Sequence, residues 1–228
     1  MKINKQLFIK ACIDGNAQLA EEILQQNQSR KEELVNLAVS VTSPSGSVDD
    51  KTLLIIAIEN GHTEIVTMLL QAGADPNQLE VVGDRFISTP LIKAVKKRRL
   101  DIVNALLAAD ADPNQVENDE GLITSPLIEA ADRGRLDIVN ALLAADADPN
   151  QVGAWSSTPL CTAAINDNVD IVNTLLAAGA DPDLAETIDP NDTPLLNVTG
   201  EYVNLDIVRA LLAAGADPDI GNNDGGGT

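Results

Sequence analysis

Covalent and acid–base catalysis need a nucleophile beside a base that a third group orients. The 228-residue sequence supplies little of this, since His62 is its one histidine and Cys12 and Cys161 are its two cysteines. A zinc site needs three or four closely spaced Cys, His or carboxylate ligands. One histidine and two distant cysteines build neither that site nor a Ser/His/Asp or Cys/His arrangement. The acidic run Glu117-Asn118-Asp119-Glu120-Gly121 lacks the alternating spacing of a calcium loop. Gly225-Gly226-Gly227 follows no predicted strand and so is not a phosphate loop. The expectation is no catalytic, cofactor-binding or metal-binding residue, and a chain that is not an enzyme.

Charge offers a different chemistry, that of recognition. The net charge is −20, which argues against general binding to nucleic acid or to an anionic membrane, because both need basic surfaces. The charge is unevenly spread. Eight basic residues (Arg85, Lys93, Lys96, Lys97, Arg98, Arg99, Arg133, Arg135) and eight acidic ones share the stretch 85–135, so the excess falls entirely on the flanks. A basic strip in an acidic molecule suits an acidic or phosphorylated segment held by charge-assisted hydrogen bonds. The alternatives are solvated side chains that balance the protein's own field, or internal pairing with Asp101 or Asp137.

The elements that position these residues repeat. Leu-Leu-x-Ala-x-Ala-Asp-Pro recurs with its Asp-Pro at Asp75, Asp112, Asp148, Asp181 and Asp217, at spacings of 37, 36, 33 and 36 residues. Between these lie Ser88-Thr89-Pro90-Leu91, Thr124-Ser125-Pro126-Leu127, Ser157-Thr158-Pro159-Leu160 and Asp192-Thr193-Pro194-Leu195, with Lys51-Thr52-Leu53-Leu54 as a version without proline. Thr or Ser before Pro predicts a helix start, with the hydroxyl capping open N–H groups and proline at the first helical position. A tight turn then leads to a second helix with an apolar stripe at helical spacing (Ile102, Val103, Leu106, Leu107). Gly73, Gly179 and Gly215 should stop that helix in a left-handed backbone; Asp110 and Asp146 take the same place at some strain. Neither helix has enough apolar surface to stand alone, so neighbouring units must stack.

Thr-Pro-Leu-x-x-Ala, Asp/Glu-Ile-Val-x-x-Leu-Leu and Gly-Ala-Asp-Pro-Asn at this period resemble the ankyrin repeat. The resemblance implies an all-α, curved solenoid of stacked helix-turn-helix units whose protruding finger loops and inner helices grip partner proteins. It covers five repeats at 51–219. Residues 1–50 read as an N-terminal capping repeat (Leu7 to Gln26) and a long connection over Glu32–Asp50. Residues 220–228 read as the start of a further, truncated repeat, which predicts that the chain is a fragment. An extra residue between Pro194 and Asp206 predicts an irregular first helix in the last repeat. His62, in Gly61-His62-Thr63-Glu64, sits where the family keeps a structural histidine. About four repeats separate the two cysteines, beyond disulfide reach.

Length varies mainly in the fingers. Gln78–Ser88, Gln115–Thr124 and Leu184–Asp192 are four, three and two residues longer than Gln151–Ser157. Loop insertions cost little stability, so binding reach competes with neutral drift as the reason. Phe8 reads as cap core, whereas Phe86 and Trp155 lie in fingers and Tyr202 in the irregular turn. The family geometry turns Lys96, Lys97 and Arg133 inward. The expected partner-binding residues are therefore Trp155, Phe86, Lys96, Lys97, Arg133 and Tyr202, on a monomer that takes a protein or peptide. A targeting array for an enzyme or toxin domain outside this sequence is the alternative; an acidic mimic of nucleic acid is a third reading. No apolar run approaches the roughly 20 residues of a membrane span, and Lys10 and Asp14 interrupt the N-terminal apolar run before it makes an export signal. A cytoplasmic protein is expected. The Ala-Leu-Leu-Ala-Ala-Gly-Ala-Asp-Pro style also resembles bacterial ankyrin proteins, some delivered into host cells, which adds the expectation of a secreted effector.

Overall fold

A computed structural model describes residues 5–42, 48–82, 86–119, 121–154, 157–184, 193–198 and 204–220, with backbone alone at 41–42, 48–50, 81–82, 86–87 and 119. It divides into two compact units, Met1–Glu120 and Gly121–Thr228.

The first unit begins with helices α1 (Lys5–Ile13), α2 (Ala17–Gln26) and a short α3 (Lys31–Val35). Strands β1 (Ala38–Thr42) and β2 (Val48–Thr52) then pair antiparallel, Ala38 opposite Thr52. The segment read from sequence as a long connection thus contains part of α3 and two paired strands, and Val39 and Val41 supply the β-branched alternation that favours β1. Helix pairs α4 (Leu53–Asn60) with α5 (Thr63–Gln71) and α6 (Pro90–Lys96) with α7 (Leu100–Leu107) follow. Between them, β3 (Glu80–Val82) and β4 (Phe86–Ser88) pair antiparallel, and β4 meets β5 (Glu117–Asp119) at Ile87 and Asn118. The first helices pack in series, α1 on α4 on α6, and so do the second helices α2, α5 and α7.

The second unit repeats the scheme. It opens on strand β6 (Leu122–Thr124) and contains the pairs α8 (Pro126–Asp132) and α9 (Leu136–Leu143), α10 (Pro159–Ile165) and α11 (Val169–Ala177), and α12 (Pro194–Asn197) and α13 (Leu205–Ala213). Here α8, α10 and α12 stack as one row and α9, α11 and α13 as the other. The first helix of the last pair is only four residues long, in keeping with the irregularity expected from the extra residue.

Local chemistry sets the ends of these helices. The hydroxyls of Thr52, Thr89, Ser125, Thr158 and Thr193 accept the N–H three residues on, from Ile55, Ile92, Ile128, Cys161 and Leu196, at 3.1–3.3 Å. Gly73, Gly179 and Gly215 end second helices with φ of 95°, 89° and 97°, and Asp110 and Asp146 adopt φ of 62° in the same role. A second left-handed site, not expected from the sequence, is the turn between the paired helices, where Gly61, Arg98, Gly134 and Asp167 all have positive φ.

Packing supplies the cohesion. Ile102, Val103 and Leu106 on α7 and Ile138, Val139 and Leu142 on α9 have no exposed surface, and each is worth about 1.5–3 kcal/mol relative to an exposed side chain. Side chains after the Asp-Pro turns add polar stitches between consecutive repeats. Asn77 accepts the Asp112 N–H at 2.8 Å and donates to the Asp110 carbonyl at 3.1 Å. Asn150 does the same with Asp181 (2.7 Å) and Gly179 (3.2 Å). Asp183 accepts the Asp217 N–H at 2.9 Å, but a carboxylate has no N–H to return.

Candidate partner-binding surface

Residues 96–99 look like one basic patch in the sequence; the fold gives them different surroundings. Lys96 ends α6 and its Nζ meets Glu117 Oε1 at 2.5 Å. Lys97 is exposed and makes no ion pair among the described residues. Arg98 occupies the left-handed turn, with φ of 56°. Arg99 reaches back to the preceding repeat, donating to Thr63 Oγ1 at 2.9 Å and to Asp101 at 3.0 and 3.2 Å. Those hydrogen bonds and the Thr63 hydroxyl hold the Asp101 carboxyl well below the usual carboxylate range.

In the second unit, Arg133 pairs with Glu129 one helical turn earlier. Arg135 donates to Asp137 at 2.9 and 2.7 Å, which lowers the Asp137 pKa. The internal pairing weighed from sequence is therefore present for Arg99 and Arg135. Lys96 and Arg133 keep side chains 35% and 31% exposed beside their partners. Trp155 and Tyr202 lie outside the described residues, as does the side chain of Phe86, whose backbone is on β4 opposite Val82.

A charge cluster that sequence reasoning missed lies under the first finger. Glu80 on β3 faces Lys51 Nζ at 3.3 Å and Lys93 Nζ at 2.6 Å, and both ammoniums also meet Glu59 on α4, at 2.7 and 3.0 Å. The two ammoniums neutralise the Glu80 carboxylate without aligning on its lone pairs, so both oxygens are charge-paired yet lack an aligned hydrogen bond. Burial works to raise the pKa of Glu59, but hydrogen bonds and charge from Lys51 and Lys93 outweigh it and leave it lowered. Burial likewise opposes the charge on Lys51, and Glu59 and Glu80 more than restore it. The signal was present in the sequence: Glu80 and Glu117 stand five residues after Asp75 and Asp112, the same place in successive fingers.

Apolar groups form the complementary feature of the second unit. Leu122 and Ile123 on β6 and Val152 in the next finger are 49%, 38% and 41% exposed, and Ile165, at the end of α10, is 60% exposed. Ile165 follows its capping Thr158 by seven residues, the offset at which Lys96 follows Thr89. Neither aromatic content nor charge marks these four in the sequence.

The residues with catalytic potential serve the fold. His62 Nε2 lies 3.0 Å from the Ile13 carbonyl oxygen, tying the first helix pair to the next. Cys12 and Cys161 are buried and not disulfide-bonded, and burial pushes the Cys12 thiol up to about 12. On the side of the second helices, shallow grooves of about 380 and 330 Å³ separate α2 from α5 and α5 from α7; Thr67 and Gln71 line both, with Glu21 in one and Ala105 and Ala108 in the other. Among the described residues no helix is long and apolar enough to cross a membrane.

Capped helix pairs stacked in two rows, with strands protruding between them, define a helix-turn-helix repeat array. The sequence matches the family described as ankyrin repeats (3 copies) over residues 7–117, 82–152 and 127–224. The chain belongs to the ankyrin-repeat family, and its fold class is the all-α ankyrin solenoid. Among solved structures it is similar to an ankyrin repeat domain from Acinetobacter baumannii AYE, with 30% identity, a TM-score of 0.71 and coverage of 92% of this chain and 98% of that one. It is also similar to the human ASB11 ankyrin repeat domain, at 26% identity and a TM-score of 0.64, covering 92% of this chain and 84% of that one. No curated protein matches it in sequence. Ankyrin repeats are protein–protein interaction modules, and the fold is typically a non-catalytic scaffold.

Proposed function

We propose that the protein acts by binding, as a monomer, a protein or peptide that its fingers and first helices contact, and that it catalyses no reaction. The observation that carries this reading is the set of exposed apolar side chains at Leu122, Ile123, Val152 and Ile165. They remain in large part exposed to water within the unit, and contact with a partner would remove that apolar surface from water. Commitment of His62 to a backbone carbonyl and of the Cys12 thiol to its protonated form supports binding over catalysis.

An acidic or phosphorylated segment of the partner meets Lys97, which is exposed just past the end of α6. Lys96 and Arg133 contribute through their exposed faces while they stay paired with Glu117 and Glu129. Trp155, Phe86 and Tyr202 are the aromatic anchors, a side-chain class enriched among residues that dominate binding energy. Likeness in sequence style to bacterial ankyrin proteins supports a cytoplasmic partner, and a host cell as its setting when the chain is an effector.

The test is a pull-down with wild type beside two variants, Trp155→Ala/Lys97→Glu and Ile165→Asp. Each replaces groups outside the described core, so thermal unfolding should stay at the wild-type midpoint. Loss of specific partners from either variant is the expected result. Partner lists identical across all three proteins would remove these residues from the interface and the reading with them.

A further inference from the structure

Two carboxylates are buried at equivalent places in successive fingers. Glu80 and Glu117 are each 2% exposed. Taking a carboxylate out of water is costly, and removing its cation would leave an uncompensated buried charge. Compensation comes from a different set of side chains in each finger. Glu80 is held by Lys93, at the middle of α6, and by Lys51, the residue before the cap Thr52. Glu117 is held by Lys96, at the end of the same helix, and accepts a hydrogen bond at 3.0 Å from Ser88 Oγ, the residue before the cap Thr89. Different partners at one geometric place give the same result, a finger strand tied to a first helix.

The finger strands need such ties. β3 and β4 pair over three residue pairs, and β4 meets β5 through Ile87 and Asn118. Strand pairs this short are marginal in water without tertiary anchorage. In the first unit ion pairs to Glu80 and Glu117 are part of that anchorage, and the burial of both carboxylates reduces screening by salt.

We propose that Glu80 and Glu117 are latches that order the fingers of residues 1–120 on the first helices before a partner arrives, with Lys93 and Lys96 as positioning residues. This deepens the binding reading, because the latched strands carry Phe86 and the helix end carries Lys97. Lys96 then has two duties, and the positioning one is the larger.

Amide hydrogen exchange on the whole chain, with no partner present, tests the latches separately from any binding reading. In Glu117→Gln, exchange should rise about tenfold or more at 86–88 and 117–119, the scale of a lost charged hydrogen bond, while the amides of Ile55, Ile92, Val103 and Leu106 stay protected. Glu80→Gln should do the same at 80–82. Lys96→Met should reproduce the Glu117→Gln pattern, and Lys96→Arg, which keeps the charge, should retain wild-type protection. Unchanged finger exchange in the Gln variants would overturn the proposal. So would a rise shared equally by fingers and helices, which would mark a general loss of stability, or equal effects of Met and Arg at Lys96.

Discussion

Gly15 shows at one position how a residue type answers to its neighbour. Its φ is +74°, and an added Cβ would stand 2.7 Å from the His62 ring, which itself reaches the Ile13 carbonyl. Gly73 has a comparable φ of +95°, with nothing within 4 Å of an added Cβ. Gly73→Ala therefore meets only the cost of left-handed backbone, about 1–2 kcal/mol. Gly15→Ala meets that cost and a clash that must displace His62, so its destabilisation should exceed the Gly73→Ala value by about 1 kcal/mol or more. Urea unfolding of both variants checks the order, and equal losses would show that His62 yields freely. Much at this scale was legible in the sequence: the hydroxyl caps, the prolines at helix starts and the left-handed stops at Asp110 and Asp146 all depend on residues a few positions apart. The left-handed turn at Arg98 was not, because an arginine carries none of glycine's signal. The split of the basic run was also hidden. Lys96 and Arg99 choose partners 21 and 36 residues away, Glu117 and Thr63, and only the stacking of repeats brings those together.

At the scale of elements, ion pairs join strands to helices in the first unit. Glu59 on α4 sits between Lys51 of β2 and Lys93 of α6. Its pKa is lowered in the folded protein, so its stabilising effect is full above the unfolded carboxylate value of about 4.3. That effect is lost as pH falls through the lower folded value, since the unfolded chain takes up the proton first. Wild type should accordingly lose more unfolding midpoint between pH 5 and pH 3 than Glu59→Gln does, and the two should converge at the acid end. Parallel loss in both proteins would show that the cluster leaves Glu59 unperturbed. The helix pairs themselves were legible, because apolar spacing and the Asp-Pro and Thr-Pro phrases repeat in register. The hairpin of β1 and β2 was read as a connection, since one short alternating run carries a weak signal beside a recurring phrase. The buried glutamates were overlooked for a related reason. Acidic residues in a loop suggest solvent, and their burial becomes visible only when side chains distant in sequence converge on them, Lys51 and Lys93 on Glu80 and Ser88 and Lys96 on Glu117.

For the whole molecule, charge and composition describe what kind of partner to seek without naming it. The excess of acid lies outside residues 85–135, and the exposed apolar groups of the second unit include Leu122, Ile123 and Val152 in its fingers, Ile165 at the end of α10, and Leu205 and Leu212 on α13. An array of this family gives a shape, and shape alone does not specify a ligand. The claim that matters most is that the fingers and first helices meet the partner while the second helices carry the stack. Amide hydrogen exchange of the full chain with and without a captured partner tests it most directly. Protection should be gained at 86–88, 117–119 and 122–124 and toward the ends of α6, α8 and α10. Protection confined to α5, α7, α9 and α11, the side with the shallow grooves, would contradict the account.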